Sequence, residues 1–207
     1  MKKIINCIGM ALLSGCVTTT TLKDAYDNPG WPGYITNSVS AFDNKHQLSM
    51  EPAYLSDATS LFRLGLRWNN KFREGQYIVV AEWGGAKNFD PDSSLGLNVD
   101  GKISYLQPVD ETQFGVVSQK IVTSKGLVDV SVDLGNQTHK QYWVSEALLN
   151  KVIKAKKVII RVELIDTYWE ERLEPTGDAI PTYHKYPHIW AKAGFKNFLQ
   201  LKGDASL

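Results

Sequence analysis

Phe62-Arg63-Leu64-Gly65-Leu66-Arg67-Trp68 places an apolar side chain at every second position. A period of two belongs to a β-strand with one buried face and one solvated face. The same rhythm recurs along the chain. Val128-Asp129-Val130-Ser131-Val132-Asp133-Leu134 alternates without a break, and Val158 to Leu164 alternates apart from Ile159. In Tyr34 to Phe42, Ile35, Val39 and Ala41 share one face. Tyr77 to Trp83 is more continuously apolar, interrupted only by Glu82, a pattern that fits a central strand. Asn69-Asn70, Glu74-Gly75, Asp90-Pro91-Asp92, Asp100-Gly101, Lys125-Gly126 and Gly135-Asn136 supply turn signals between these runs. Their spacing predicts about ten short strands. The expected fold is mainly β: an antiparallel β-sandwich, immunoglobulin-like or a related Greek key, with one short helix and a C-terminal helix, over residues 34–207 as a single domain.

Two segments break the alternation. Ser145 is placed to cap a helix from Glu146 to about Ala155, with Leu148, Leu149, Val152 and Ile153 on one face. Lys151, Lys154 and Lys156 complement its C-terminal dipole. A second helix is expected from Pro187 to Leu201, with Trp190, Gly194, Phe198 and Leu201 aligned and Gly203 as its stop.

Toward the N-terminus the pattern changes character. Thr18 to Thr21, Asp27-Asn28-Pro29-Gly30 and Pro32-Gly33 read as a flexible tether over residues 16–33. Such a length has an r.m.s. reach of roughly 20–25 Å. Before it stand Lys2 and Lys3, an apolar run from Ile4 to Leu13, and then Leu13-Ser14-Gly15-Cys16. A basic start, an apolar core and small residues make a secretory signal over residues 1–15. The apolar core is about half of the ~20 residues a membrane span needs. A cysteine directly after Leu-Ser-Gly resembles the signal of bacterial lipoproteins. That resemblance implies cleavage before Cys16 and a diacylglycerol (palmitate-type) thioether on its sulfur. It also implies an anchor in the cell envelope. Val17 follows the cysteine where inner-membrane lipoproteins of enteric-type bacteria carry Asp, so the resemblance points to the periplasmic face of the outer membrane.

Composition narrows the function. Without Lys2 and Lys3, 21 basic residues face 22 acidic ones, so the mature chain has no general attraction for phosphate backbones, and no nucleic-acid partner is expected. Cys7 falls within the signal and Cys16 is spent on lipid, which leaves no thiol for a disulfide, a nucleophile or a zinc site. No serine sits in a glycine-flanked elbow. No cofactor motif is found.

Asp166 to His188 fits neither period and carries Tyr168, Trp169, Tyr183, His184, Tyr186 and His188 among Glu170, Glu171, Glu174 and Asp178. Long irregular segments with clustered rings are often binding loops. The expected contact surface is Trp169, Tyr183, His184, Tyr186 and Trp190. His184 and His188 have the i, i+4 spacing of a metal helix, but Pro187 intervenes and no third ligand is evident, so no metal site is expected. Asp90 to Ser94 starts like a calcium loop, yet Leu95 and Gly101 occupy the positions that need Gly and Glu. Arg63, Arg67 and Arg161 lie on the solvent parity of their strands, within reach of Glu82 and Glu163 for cross-strand pairing. Glu170 and Glu171 would point to opposite faces of a strand. Together these readings describe an envelope lipoprotein that binds an envelope protein or glycan without catalysis. The alternatives are a cell-wall or glycan hydrolase using His184 or His188 with Glu170 or Asp166, and an accessory lipoprotein of a secretion or surface-assembly machine.

Overall fold

The structure is a computed structural model describing residues 29–109, 117–125, 128–175 and 186–205; the side chains of 117–136 and 204–205 are not among those described. The signal, Cys16 and the tether up to residue 28 therefore lie outside the described residues, as do Tyr183 and His184.

Ten strands are described: β1 (Ile35–Val39), β2 (His46–Tyr54), β3 (Phe62–Asn69), β4 (Gln76–Trp83), β5 (Leu95–Val99), β6 (Lys102–Leu106), β7 (Val117–Lys125), β8 (Val128–Ser145), β9 (Val158–Leu164) and β10 (Thr167–Arg172). They form a larger sheet in the order β1-β2-β3-β4-β8-β7 and a smaller one in the order β10-β9-β5-β6. All strand pairs are antiparallel. The chain is thus mainly β, an antiparallel sandwich with a short helix and a C-terminal helix. β1 to β4 run as a meander, β5–β6, β7–β8 and β9–β10 are hairpins, and the chain passes between the two sheets after β4, β6 and β8, so that β8 pairs with β4 and β9 with β5.

Alternation sets the inner face. Phe62, Leu64 and Leu66 of β3 are buried beside Leu48 and Met50 of β2 and Tyr77, Val79 and Ala81 of β4. Leu95, Leu97, Val158, Ile160 and Val162 of the smaller sheet join the same apolar cluster. β4 lies between β3 and β8 and is buried from Tyr77 to Trp83, in keeping with its run of apolar residues around Glu82. β8 is 18 residues long and works in two halves. Thr138 to Ser145 pair with β4, while Val128 to Gln137 pair with β7. Asp100 (φ 48°) and Gly101 (φ 89°) make the tight turn between β5 and β6, both in the left-handed region that such hairpins need.

Helix α1 (Glu146–Lys154) begins at Ser145, whose hydroxyl accepts from Leu148 N at 3.3 Å. Leu149 and Val152 are buried, with Leu148 and Ile153 at the margin of the core. A 3-10 turn (Pro187–Ile189) precedes helix α2 (Ala191–Ala205). The expected single helix from Pro187 is therefore broken at Trp190, which adopts extended backbone and bridges to Tyr54. Ala191, Gly194, Phe195 and Phe198 turn inward, while Leu201 is exposed and Gly203 lies inside the helix. Gly194 has a packing role, because a Cβ there would come within 2.8 Å of Met50 Sδ on β2.

Three expectations meet a different outcome. Val39 is exposed at the end of β1, an edge strand. Pro32 and Gly33, at the end of the expected tether, are buried. Gly33 N donates to Glu51 O at 3.1 Å, and its φ of 78° lets the chain pass His188 O closely. Thr167 to Arg172, read as irregular, is strand β10, paired to β9 across the turn at Ile165-Asp166. Its sequence carries rings and charges on both faces, so period two does not show.

Candidate functional site: the outer face of the smaller sheet

Strand register places Glu170 of β10, Arg161 of β9, Gly96 of β5 and Tyr105 of β6 in one row across the smaller sheet. The neighbouring row holds Asn98, Ile103 and Ile159, and Tyr168 stands opposite Glu163. These side chains share the outward parity. Tyr105 and Ile103 are 64 % and 63 % exposed, and Tyr168 is 52 % exposed. Exposed rings and branched apolar groups on one open sheet face are uncommon on a surface that meets only water.

Arg161 is held in place from several sides. Its guanidinium carbon lies 3.9 Å from the centre of the Tyr168 ring. Its Nε donates to Glu163 Oε1 at 2.7 Å, and Nη1 stands 3.7 Å from Glu170 Oε1. The hydrogen bond to Glu163, aided by the charges of Glu163 and Glu170, raises its already high pKa. The result is a flat, charged plate of fixed orientation beside a tyrosine ring. The expected pairing of Arg161 with a glutamate is present, within its own strand to Glu163 and across strands to Glu170.

Gly96 makes the middle of the row low. A Cβ there would meet Arg161 Cβ at 3.5 Å and Tyr105 Cε1 at 3.6 Å, which is ordinary contact. Its absence leaves a depression of about 170 Å³ floored by Gly96 and Leu97 and walled by Tyr105, Ile103, Ile159, Arg161 and Glu170, with Asn98 beside them. A planar ring, a fixed guanidinium, a carboxylate and a carboxamide around an open floor can stack on a sugar ring and hydrogen-bond its hydroxyls.

Of the aromatic residues expected to bind, the described ones, Trp169, Tyr186 and Trp190, lie in different settings. Trp190 is wholly buried, with Tyr54 at 6.2 Å between ring centres, and so belongs to the core. Trp169 lies on the opposite face of β10 from Tyr168. Its ring is 5.3 Å from Trp83, and its indole N–H donates to Glu171 Oε2 at 3.1 Å. Glu171 also accepts from Ser56 Oγ at 2.7 Å and Ser60 Oγ at 2.6 Å, which ties β10 to the loop before β3. Glu170 and Glu171 therefore do face opposite ways. Tyr186 is half-buried and edge-on to His188, with ring centres 6.4 Å apart. Asp166, offered as an acid or base, is a turn residue with φ 64°. Tyr105 and Gly96 were invisible as site residues. Lys-Ile-Ser-Tyr-Leu reads as Ile and Tyr facing inward only if the strand has cover on that side.

Two further charged groups have structural roles. The loop from Asp90 to Ser93 does hold a cation, and that cation is Lys140. Its Nζ donates to Asp90 O and Ser93 O, each at 2.6 Å, and to Ser93 Oγ at 3.3 Å. It also lies 5.3 Å from the centre of the Tyr142 ring. Lys140 is wholly buried, and burial lowers its pKa while Asp90 and Asp92 oppose the shift. On the larger sheet, Arg63, Glu82 and His139 stand in one register row. Arg63 Nε is 2.9 Å from Glu82 Oε1, the cross-strand pair the sequence suggested, and His139 Nε2 is 3.6 Å from Glu82 Oε2. Burial raises the Glu82 pKa, with Arg63 opposing, and burial together with Arg67 and Arg63 lowers that of His139. Among the described residues, no three His, Cys, Asp or Glu side chains converge as a metal site, and no helix is long and apolar enough to cross a membrane.

Comparison with protein-family models, with curated proteins and with solved structures gives no match in any of the three.

Proposed function

We propose that this chain is a lipid-anchored binding module of a bacterial cell envelope that holds a glycan against the outer face of its smaller sheet. The observation that carries the reading is the row Glu170–Arg161–Gly96–Tyr105, with a glycine gap between an exposed ring and an arginine already stacked on Tyr168. Sugars present apolar ring faces edged by hydroxyls, and this row offers a stacking plate with polar groups at its rim. Leu13-Ser14-Gly15-Cys16 supports placement at the membrane through lipid on Cys16, and a tether would let the sheet face reach a polymer standing off the bilayer. The module acts by positioning rather than by chemistry.

Calorimetric titration with soluble cell-wall glycan fragments tests the reading. The expected result is saturable binding, weakened roughly tenfold by Tyr105→Ala and by Tyr168→Ala, the worth of one stacked ring. Gly96→Val fills the depression in a strand that tolerates a β-branched residue, so it should abolish binding while the melting temperature holds. Absence of binding to the fragments, or binding that Gly96→Val and Tyr105→Ala leave intact, overturns the reading.

A further inference from the structure

We infer that a second pocket, on the other side of strand β6, holds a phosphate group. Alternation along β6 sends Ile103 and Tyr105 to the outer face and Lys102 and Ser104 to the side where α1 packs. There, Val99, Asp100, Lys102 and Ser104 face Leu148, Lys151, Lys154 and Ala155 across a cavity of about 340 Å³. Three exposed lysines from two separate elements therefore line one cavity, beside the apolar Val99, Leu148 and Ala155.

The lining carries three lysines and one carboxylate, Asp100, so positive charge is in excess. The ammonium groups of Lys102, Lys151 and Lys154 make no ion pair or hydrogen bond among the described residues. Asp100 is the one acid in the lining, and both of its oxygens are engaged elsewhere. They accept from Lys156 N at 3.2 Å and Lys157 N at 2.8 Å. Lysines in the last turn of a helix ordinarily answer its dipole. That accounts for neither Lys102, which comes from the β5–β6 hairpin, nor the whole charge. The end of α1 already has a cation, since Lys192 Nζ donates to Ala155 O at 2.6 Å. Three mobile point charges around a cavity, with a serine hydroxyl in its wall, suit a compact tetrahedral anion better than a flat carboxylate. The apolar part of the lining accommodates the carbon portion of an ester. A phosphorylated sugar or a phospholipid headgroup would supply the same group.

Full-length protein in detergent provides the test. Inorganic phosphate is titrated while the amide resonances of Lys102, Ser104, Lys151 and Lys154 are followed by NMR. Flotation is then compared between vesicles of pure phosphatidylcholine and vesicles carrying phosphatidylglycerol, so that any acyl anchor contributes equally to both. Saturable shifts confined to this pocket are expected, with Lys102→Gln weakening binding about tenfold and Lys102→Gln/Lys151→Gln/Lys154→Gln removing it. Extra flotation on phosphatidylglycerol, lost in the triple variant, identifies a lipid source; phosphate binding without it identifies a soluble one. A control of equal charge, Lys45→Gln/Lys71→Gln/Lys87→Gln, should leave both signals intact. Equal loss in that control, or no saturable response to either probe, overturns the inference. The glycan-binding face plays no part in these readouts, so the two readings fail separately.

Discussion

Replacing Lys140 with methionine asks whether a buried ammonium holds the loop from Asp90 to Ser93 in place. Methionine matches the length of the stem and fills the same space without a charge. The substitution removes donors to Asp90 O, Ser93 O and Ser93 Oγ, together with the cation above Tyr142. Asp90 O keeps the Ser93 N–H at 3.3 Å and the Ser93 hydroxyl at 2.9 Å, so the carbonyl left stranded is that of Ser93. One orphaned, half-buried carbonyl costs up to about 1–3 kcal/mol, and the lost charge-assisted bonds cost about 1.5–3 kcal/mol each before any offset. Removing an ammonium whose pKa burial depresses returns part of this, several kcal/mol in the opposite direction. A net loss of about 3 kcal/mol is expected, and a domain of this size then melts about 6–12 °C lower. Calorimetry of both proteins at neutral pH measures it. Hydrogen exchange at Asp92 and Ser93 should accelerate in the variant, because the loop loses its anchor. A variant that melts at or above the parent temperature, with the loop equally protected, refutes the reasoning. Desolvation would then outweigh the three hydrogen bonds.

Gly33 and Gly75 both have left-handed φ, at 78° and 69°, but differ in their surroundings. A Cβ on Gly33 would run into His188 O, whereas one on Gly75 meets open space. Gly75→Ala should cost about 1 kcal/mol, and Gly33→Ala about 3 kcal/mol or more by urea unfolding; equal costs would mean that Pro32 and Gly33 do not pack against the turn before α2. The Glu82 and His139 pair gives opposing pH dependences. Raised in the fold, the Glu82 pKa gives stability that is complete below its ordinary value of 4.5 and lost as pH climbs through the raised value. His139, lowered in the fold, loses stability as pH falls from 6.5 through its depressed value. Urea unfolding from pH 4 to 7.5 should show the first slope vanish in Glu82→Gln and the second in His139→Gln; unchanged slopes would place both groups outside the linkage.

Local patterns were enough for most of the strands and for the N-cap of α1. Phe62 to Trp68 alternates because one face of β3 is buried and the other is not, and that asymmetry is written directly into residue order. Tyr77 to Trp83 announced a central strand, and Ser145 announced a helix start, since each depends on neighbours in sequence. Arg63 with Glu82 was legible for the same reason, once antiparallel register was assumed. β10 was not legible, because rings and carboxylates alternate across an edge strand with uses for both faces. Lys140 shares parity with Tyr142 and Val144, but a lysine on that parity reads as solvent-facing unless a loop supplies acceptors.

From residue order alone came the β class, the turns, the Ser145 cap and the resemblance to a lipoprotein signal, because each is set within a few neighbouring residues. Tertiary structure decided which rings face water and which fill the core. Trp190 and Tyr105 look alike as exposed or buried candidates until β6 is placed at an edge and the chain before α2 is drawn against Tyr54. Burial is a property of what lies opposite a side chain, and strands far apart in sequence supply it.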